Sequence, residues 1–523
     1  MFVPSDHRAR ARRWLLDLTW GDVTYYVAED DCTFVDADGV ATDYTAALVV
    51  TSEVERPAYV GEGPDAPTAQ LELHLADIVD VPARISVGLP LGAMRGVLWL
   101  WLEGSSKRER VVDGYVSAVE YGPRDVPVSC QLIDDRLRNR KLWPPANARM
   151  KDSAVNPGEY YPWIIGAPGS SLAQDAYGSS GLVWELNGGG NVDYLLVAGH
   201  EVGATQVVVE NGETGASDLF PVLEDTDIHG RTISYVDLHH AGSSYTSSDR
   251  GKNAGYFVRW TGDGGIAIRG EHVKGAGDVL RWALDRTSID YDQGNVAALL
   301  PLLNRYEIDC RLVAEPNKRI DLWEWIQQHL LPILPLSAMV TDYGLRFVHW
   351  KYDATSADVV AVLVGGDNAV RIGAVGYSGR EEVRNTLRFA YGPSDRTGGT
   401  VFRATVAGNP LTLATDDDAE PFAICKRSFR AYGEEVLEFA SDVIWDQATA
   451  GRIVRERARR VAAQARHIGY EVPPDIGAHL EPGDVVELTD AELSIESALF
   501  FVLHKPADAG EFYALHLREI AAQ

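Results

Sequence analysis

The sequence predicts an α+β chain that is mostly β. Short runs of β-branched and aromatic residues recur between Gly, Pro and Asp clusters through the first half. At Gly275 the apolar spacing changes from two residues to three and four. A long Arg- and Ala-rich stretch, Asp446 to His467, then keeps a helical period before the chain returns to strands. The 523 residues suit three or four domains, and 46% hydrophobic against 24% charged residues is ordinary globular material.

Residues 1–150 open with a basic arm, Met1 to Arg13. No apolar core follows it, so it reads as an arm and not as a targeting signal. Strands are expected at Thr24–Val27, Ala47–Val50, Gln70–Leu75, Val97–Leu102, Val111–Glu120 and Val126–Ile133. Gln70–Leu75 alternates as a half-buried strand does, whereas Leu98–Leu102 is apolar on both faces and should be covered on both. The spacing suits a barrel or a sandwich. Asp134–Met150 is a basic connector with Arg136, Arg138, Arg140, Lys141 and Arg149, and Pro144-Pro145 forbids a helix there. A solvated linker or an intersubunit salt-bridge segment is the reading preferred over a nucleic-acid contact.

Residues 151–275 form an inserted β unit, with strands expected at Leu182–Leu186, Tyr194–Ala198, Thr205–Glu210, Thr232–Asp237 and Tyr256–Trp260. Asn211-Gly212 signals a tight turn. Residues 276–350 form a small α/β unit. Its helices are Asp278–Arg286, Asn295–Tyr306 (bent or shortened by Pro301) and one opened by the capping pattern Asp321-Leu322-Trp323-Glu324. A strand at Ile308–Ala314 and a hairpin, Ile333–Val340 with Leu345–Trp350, complete it.

Residues 351–523 return to strands at Val359–Val364, Ala369–Ile372 and Val383–Tyr391, followed by a loop-rich acidic stretch, Thr397–Glu420. On the helix from Asp446, Ala450, Val454, Ala458, Val461, Ala465 and Ile468 share one face, and the other face is cationic. Asp446 suits its positive end and Gly469 its C-cap. Closing strands are expected at Asp484–Leu488, Ala498–His504 and Phe512–Leu517.

The chemistry-bearing residues form no catalytic, cofactor or metal set. Cys32, Cys130, Cys310 and Cys425 lie far apart and read as buried thiols of a reducing compartment. His200, His229, His239, His240 and His272 have no metal-ligand spacing. No serine lies in GxSxG, and Gly188-Gly189-Gly190 lacks the GK[ST] of a phosphate loop. The paired acids Glu53/Glu55 and the run Asp416–Glu420 sit among polar residues, unlike a general acid in an apolar pocket. Trp163, Trp184 and Trp260 are candidates for a sugar platform, with core packing the preferred reading. No run of about eighteen apolar residues offers a membrane span. A net charge of −28 opposes wrapping nucleic acid and suits a surface that nucleic acid passes without sticking; salt adaptation is the rival cause.

Several segments in order resemble the tail hub (tail tip or baseplate hub) proteins of long-tailed bacteriophages and gene transfer agents. They are Gly277–Leu284 running into Ile289–Asp292, Leu322–Ile326 with Leu331–Pro335, Gly344–Phe347, Glu382–Thr386, the Trp445-Asp446 helix start and Leu480–Asp484. Coverage is good from Gly275 to the end, loose over Trp14–Asp135 and weak between. The resemblance implies two tube-type β-barrel domains per chain, here 1–150 and 351–523, and a homotrimer forming a pseudo-sixfold ring. It implies a distal tail or tail-tube protein above, tip, fibre or spike proteins below, and DNA or tape-measure protein in the lumen. The expected location is the virion tail tip, after assembly in the host cytoplasm. Lumen-facing acids are expected among Glu381, Glu382, Asp416, Asp417, Asp418 and Glu420, and an interface on Arg452, Arg455, Arg459 and Arg466. A cell-wall hydrolase or glycan-binding module in the inserted unit, and a host-encoded secretion-spike hub, are the alternatives.

Overall fold

The computed structural model describes residues 12–520 apart from 52–67, most of 76–83, 121–126, 137–161, 176–193, 227–231, 251–254, 261–266, 313–320, 408–421, 506–511 and isolated short breaks. The basic connector beyond Arg136, the expected strand Leu182–Leu186 with Trp184, Gly188–Gly190, Glu53/Glu55 and the acidic run Asp416–Glu420 all lie outside the described residues.

The first sheet is built from β1 (Arg12–Trp20), β2 (Val23–Ala28), β3 (Cys32–Val35), β4 (Ala41–Ala46), β5 (Leu48–Val50), β6 (Thr68–Leu73), β7 (Met94–Leu102), β8 (Arg108–Glu120) and β9 (Val128–Asp134), in the order β3-β4-β2-β1-β7-β8-β9-β6-β5. Because side chains alternate across a strand, β1 and β7 send Trp14, Leu16, Leu18, Leu98 and Leu100 into one core and Leu15 and Trp101 into a second. The hairpin of β3 and β4 covers the second face with Phe34 and Tyr44. The strand β7 is thus covered on both sides, as its doubly apolar sequence requires. The run Ala41–Val50 meets β2 at one end and β6 at the other, with Ala47 N bonded to Ala28 O at the break between them. No sheet closes into a complete barrel ladder among the described residues.

The chain enters the second sheet through β10 (Trp163–Ile165). Its seven strands are β11 (Ser171–Asp175), β12 (Tyr194–Ala198), β13 (Gln206–Asn211), β14 (Ser217–Pro221), β15 (Leu223–Thr226), β16 (Thr232–Asp237) and β17 (Tyr256–Trp260), with β18 (Ala267–Ile268) and β19 (Glu271–His272) as a separate small pair. Asn211 does end β13, but the loop is longer than a two-residue turn. The buried Asn211 side chain accepts from Glu213 N and Thr214 N at 2.8 and 2.9 Å, holding the chain until Ser217 pairs back with Glu210. Gly166 N donates to Val273 O, so the entering and leaving segments are tied.

The α/β unit follows: α1 (Ala276–Asp285), α2 (Gln293–Leu303), β20 (Cys310–Leu312), α3 (Leu322–Trp325), then the hairpin β21 (Leu336–Thr341) and β22 (Gly344–His349). Strand β20 pairs with β10. Asp321 accepts from Glu324 N, the cap its sequence announced, and the helix widens into one π turn over Ile326–Leu330. Pro301 is accommodated inside the last turn of α2.

The last part holds β23 (Val359–Val364), β24 (Val370–Tyr377), β25 (Thr386–Ser394), β26 (Gly399–Ala407), α4 (Phe422–Tyr432), β27 (Val436–Ala440), α5 (Gln447–Val461), β28 (Arg466–Val472), α6 (Pro474–Gly477), β29 (Val485–Asp490), β30 (Ile495–His504) and β31 (Tyr513–Glu519). They form a six-stranded sheet, β23-β29-β30-β31-β28-β24, and a three-stranded sheet, β26-β25-β27. Three sequence expectations are corrected here. The stretch from Thr397 is not all loop, because Gly399–Ala407 pairs with β25. The helix Phe422–Tyr432 had not been anticipated. The Arg-rich helix ends at Val461 with Ala462 as C-cap, and Gly469 lies in β28 opposite Ile372 instead of capping a helix.

Candidate interaction surfaces

The Arg-rich helix α5 starts where Asp446 accepts from Thr449 N at 2.6 Å. It buries Ala450, Ile453, Val454 and Ala458 in the largest core, together with Trp282, Phe347 and Phe389. The small Ala positions allow this close packing. Its arginines are largely engaged within the chain. The Arg452 guanidinium bonds the Arg305 carbonyl and lies over the Tyr306 ring. Arg457 donates to Pro332 O at 2.9 Å and stacks 4.6 Å from the Phe439 ring centre; burial holds its pKa below the usual guanidinium range. Arg455, exposed, bonds Gly451 O in its own helix. Burial raises the Glu456 carboxyl, Asp353 adds to the rise, and Arg459, Tyr306 and Arg452 oppose it. Arg466 is not on the helix at all: it opens β28 and grips Glu519 through two bonds of 2.5 and 2.7 Å. Four residues expected to share one helical face therefore divide between a helix that clamps the α/β unit and a strand ion pair.

Of the acids expected to line a channel, Glu381 and Glu382 are exposed in the short turn Arg380–Glu382 that follows β24. Asp416, Asp417, Asp418 and Glu420 lie outside the described residues.

The first sheet carries a polar cluster with no local sequence signature. Asp17 receives Trp99 Nε1 at 2.9 Å, Tyr44 OH at 2.5 Å and Arg108 at 3.1 and 3.3 Å. The Arg108 guanidinium lies 4.0 Å from the Trp99 ring centre and 4.8 Å from that of Phe34. The Tyr44 phenol is pushed up, first by burial and then by Asp17. Beside this cluster, a groove of about 670 Å³ runs between the sheet and Tyr513 of β31. Arg12 spans the junction, donating to Phe512 O at 2.6 Å and lying 4.3 Å from the Tyr513 ring centre.

His239 and His240 are exposed after β16. His200 is different: its Nε2 accepts from Ile164 N at 3.0 Å, so Nδ1 carries the proton it shares with Glu201 O at 2.6 Å. Burial lowers its pKa to about 4, with His272 and Arg286 adding repulsion. Trp163 and Trp260 are buried, Trp163 edge-on to Trp282 at 5.0 Å, which removes both as sugar platforms. Among the described residues no group of three or more His, Cys, Asp or Glu converges as metal ligands, and no helix is long and apolar enough to cross a membrane.

Residues 427–500, from the second half of α4 through β27, α5, β28, α6 and β29 into β30, match the model of a family described as "Putative phage tail protein". The match makes this segment similar to that family and covers no other part of the chain. No curated protein matches it. Among solved structures, this chain is similar to a tail protein from Neisseria meningitidis MC58 (9% identity, 97% of this chain and 96% of that one, TM-score 0.35). It is also similar to the 43 kDa tail protein of prophage MuSo2 from Shewanella oneidensis (10%, 97% and 98%, TM-score 0.37). A chain of a native gene transfer agent virion matches at 13% identity over 72% of this chain and 88% of that one, TM-score 0.40. Identities and TM-scores this low fix no property of this chain.

Proposed function

We propose that this chain is a structural hub of a phage tail tip and not an enzyme. Three copies form a ring that continues the tail tube, with 1–150 and 351–523 as two tube-type domains per chain and 151–275 and 276–350 carried between them. The observation that supports this reading best is the family match over 427–500, because that segment contains the helix α5 and four strands of the C-terminal sheets. A distal tail or tail-tube protein stacks above the ring, and tip, fibre or spike proteins attach below.

The mechanism is one of surfaces. Copies in a ring cover one another's sheet edges, which otherwise invite uncontrolled pairing. The net charge of −28 lets DNA or tape-measure protein pass without lasting contact, since phosphates find few cations to exchange for their counterions. Glu381 and Glu382, with Asp416, Asp417, Asp418 and Glu420, are the acids assigned to the lumen. Arg455, which is exposed and bonds only within its own helix turn, and Arg459 are the arginines of α5 assigned to meet a neighbour; Arg452 is tied to Arg305 and Arg466 lies on β28 with Glu519. Class averages of the purified protein by electron microscopy test the reading: a threefold annulus is expected, and a monomer both in solution and in its native particle would overturn it.

A further inference from the structure

The open edges of the two C-terminal sheets differ in charge and share one property. Strands β23 and β24 end the six-stranded sheet. Between them they leave Val360 (55% exposed), Val362 (51%), Val370 (59%) and Tyr377 (64%) facing solvent. Strand β26 ends the three-stranded sheet and leaves Val401 54% exposed on one face; on the other, Phe402 (47%) lies against the rings of Tyr391 and Trp445 at 5.6 and 5.9 Å. Isolated exposed valines are ordinary, but rows of them on unpaired strand edges are not, because such edges template pairing with another chain.

The charges around the two edges are opposite. Asp367 is exposed in the turn after β23, and Glu492 and Glu496 are exposed about the turn between β29, the neighbour of β23, and β30; Glu492 pairs with Arg371 of β24 at 3.1 Å. The β26 edge carries exposed Arg403, and α4, which packs against β26, presents exposed Arg427 and Arg430. One edge is apolar and acidic, the other apolar and basic.

We infer that β26 of one copy docks on the β23 edge of the next, so that copies associate head to tail. This rests on the ring reading above and assigns it its contact surfaces. Two different patches on one chain make a heterologous contact, which generates a ring when the rotation closes, whereas one self-complementary patch would stop at a dimer. The exposed apolar residues supply affinity and the flanking charges fix register and order.

Light scattering of the full-length chain after size-exclusion chromatography tests the inference. Val362→Lys and Val401→Asp should each reduce the assembly to monomers, with circular dichroism confirming that both variants remain folded. Mixing the two should restore association in a 1:1 ratio, because each retains the edge the other lacks. If either variant alone still forms a dimer, the contact is self-complementary and the inference fails. If both retain the wild-type assembly, the contact lies elsewhere and the ring reading stands without it. A wild-type chain that is monomeric in solution and in its native particle overturns both. As a second line, Arg403→Glu should weaken assembly on the order of tenfold, and adding Glu496→Arg should recover it; no recovery would remove the charge pairing.

Discussion

The first sheet and the C-terminal sheets use similar material to different ends. In the first sheet the chain covers itself: β3 and β4 fold over the second face, and Asp17 on that face receives bonds from Trp99, Tyr44 and Arg108. In the C-terminal sheets β23, β24 and β26 stop short of that, leaving Val360, Val362, Val370, Tyr377 and Val401 exposed. The contrast separates a face that the chain covers itself from edges that the proposed assembly would cover. Substitutions in the first region should cost stability, while substitutions on the second should cost assembly.

The largest effect should come from Trp101→Ala. Trp101 is buried against Phe34 edge-on at 5.9 Å and donates to Ser105 O, so its loss leaves a cavity and should cost about 3–5 kcal/mol in chemical denaturation. Next is Asp17→Asn. It leaves Arg108 without its countercharge in a site where both side chains are mostly shielded, and should cost roughly 2–4 kcal/mol by the same measurement. If the cost were no larger than that of an exposed pair such as Arg388–Glu438, the cluster would not hold the face together.

The inserted sheet should answer to acid. The folded-state pKa of His200 is about 4, below its ordinary value of about 6.5, so folding favours the neutral ring. Its contribution is complete above the ordinary value and is lost as pH falls from about 6.5 toward 4, because the unfolded chain binds the proton first. The change should approach roughly 3 kcal/mol over that window, and thermal melts of His200→Gln should lack it. Asp446→Ala removes the cap of α5 and should cost about 1 kcal/mol. The smallest effect should be that of Val362→Lys, which should leave the unfolding free energy of the isolated chain within about 0.5 kcal/mol of wild type while abolishing assembly. A large loss of stability there would place Val362 in a core after all and erase the contrast.

The sequence was informative wherever a local rule governed the outcome. The cap at Asp321, the helix start at Asp446, the doubly covered strand β7 and the hairpin of β21 and β22 all follow from spacing within a few residues. It misled where a distant partner decided. The helical period runs on past Val461, yet Arg466–Val472 becomes a strand because Tyr513–Glu519 and Val370–Tyr377 flank it on both sides. Phe422–Tyr432 was missed although Ile424, Cys425 and Ser428 lie on one face and are buried, a signal that three residues in eleven carry weakly. The Asp17 cluster had no readable signature, since its four members come from four strands. Of the expected surface residues, Arg466 was displaced for the same reason as the helix end.

The Arg12 clasp on Phe512 and Tyr513 joins positions 500 residues apart in the chain. During synthesis the first strand leaves the ribosome long before its clasp exists, and the loop to be closed spans nearly the whole polypeptide. Each sheet can fold as it emerges, but this junction forms only after the last strand has been made. A truncated product that lacks β31 would therefore lack the clasp as well.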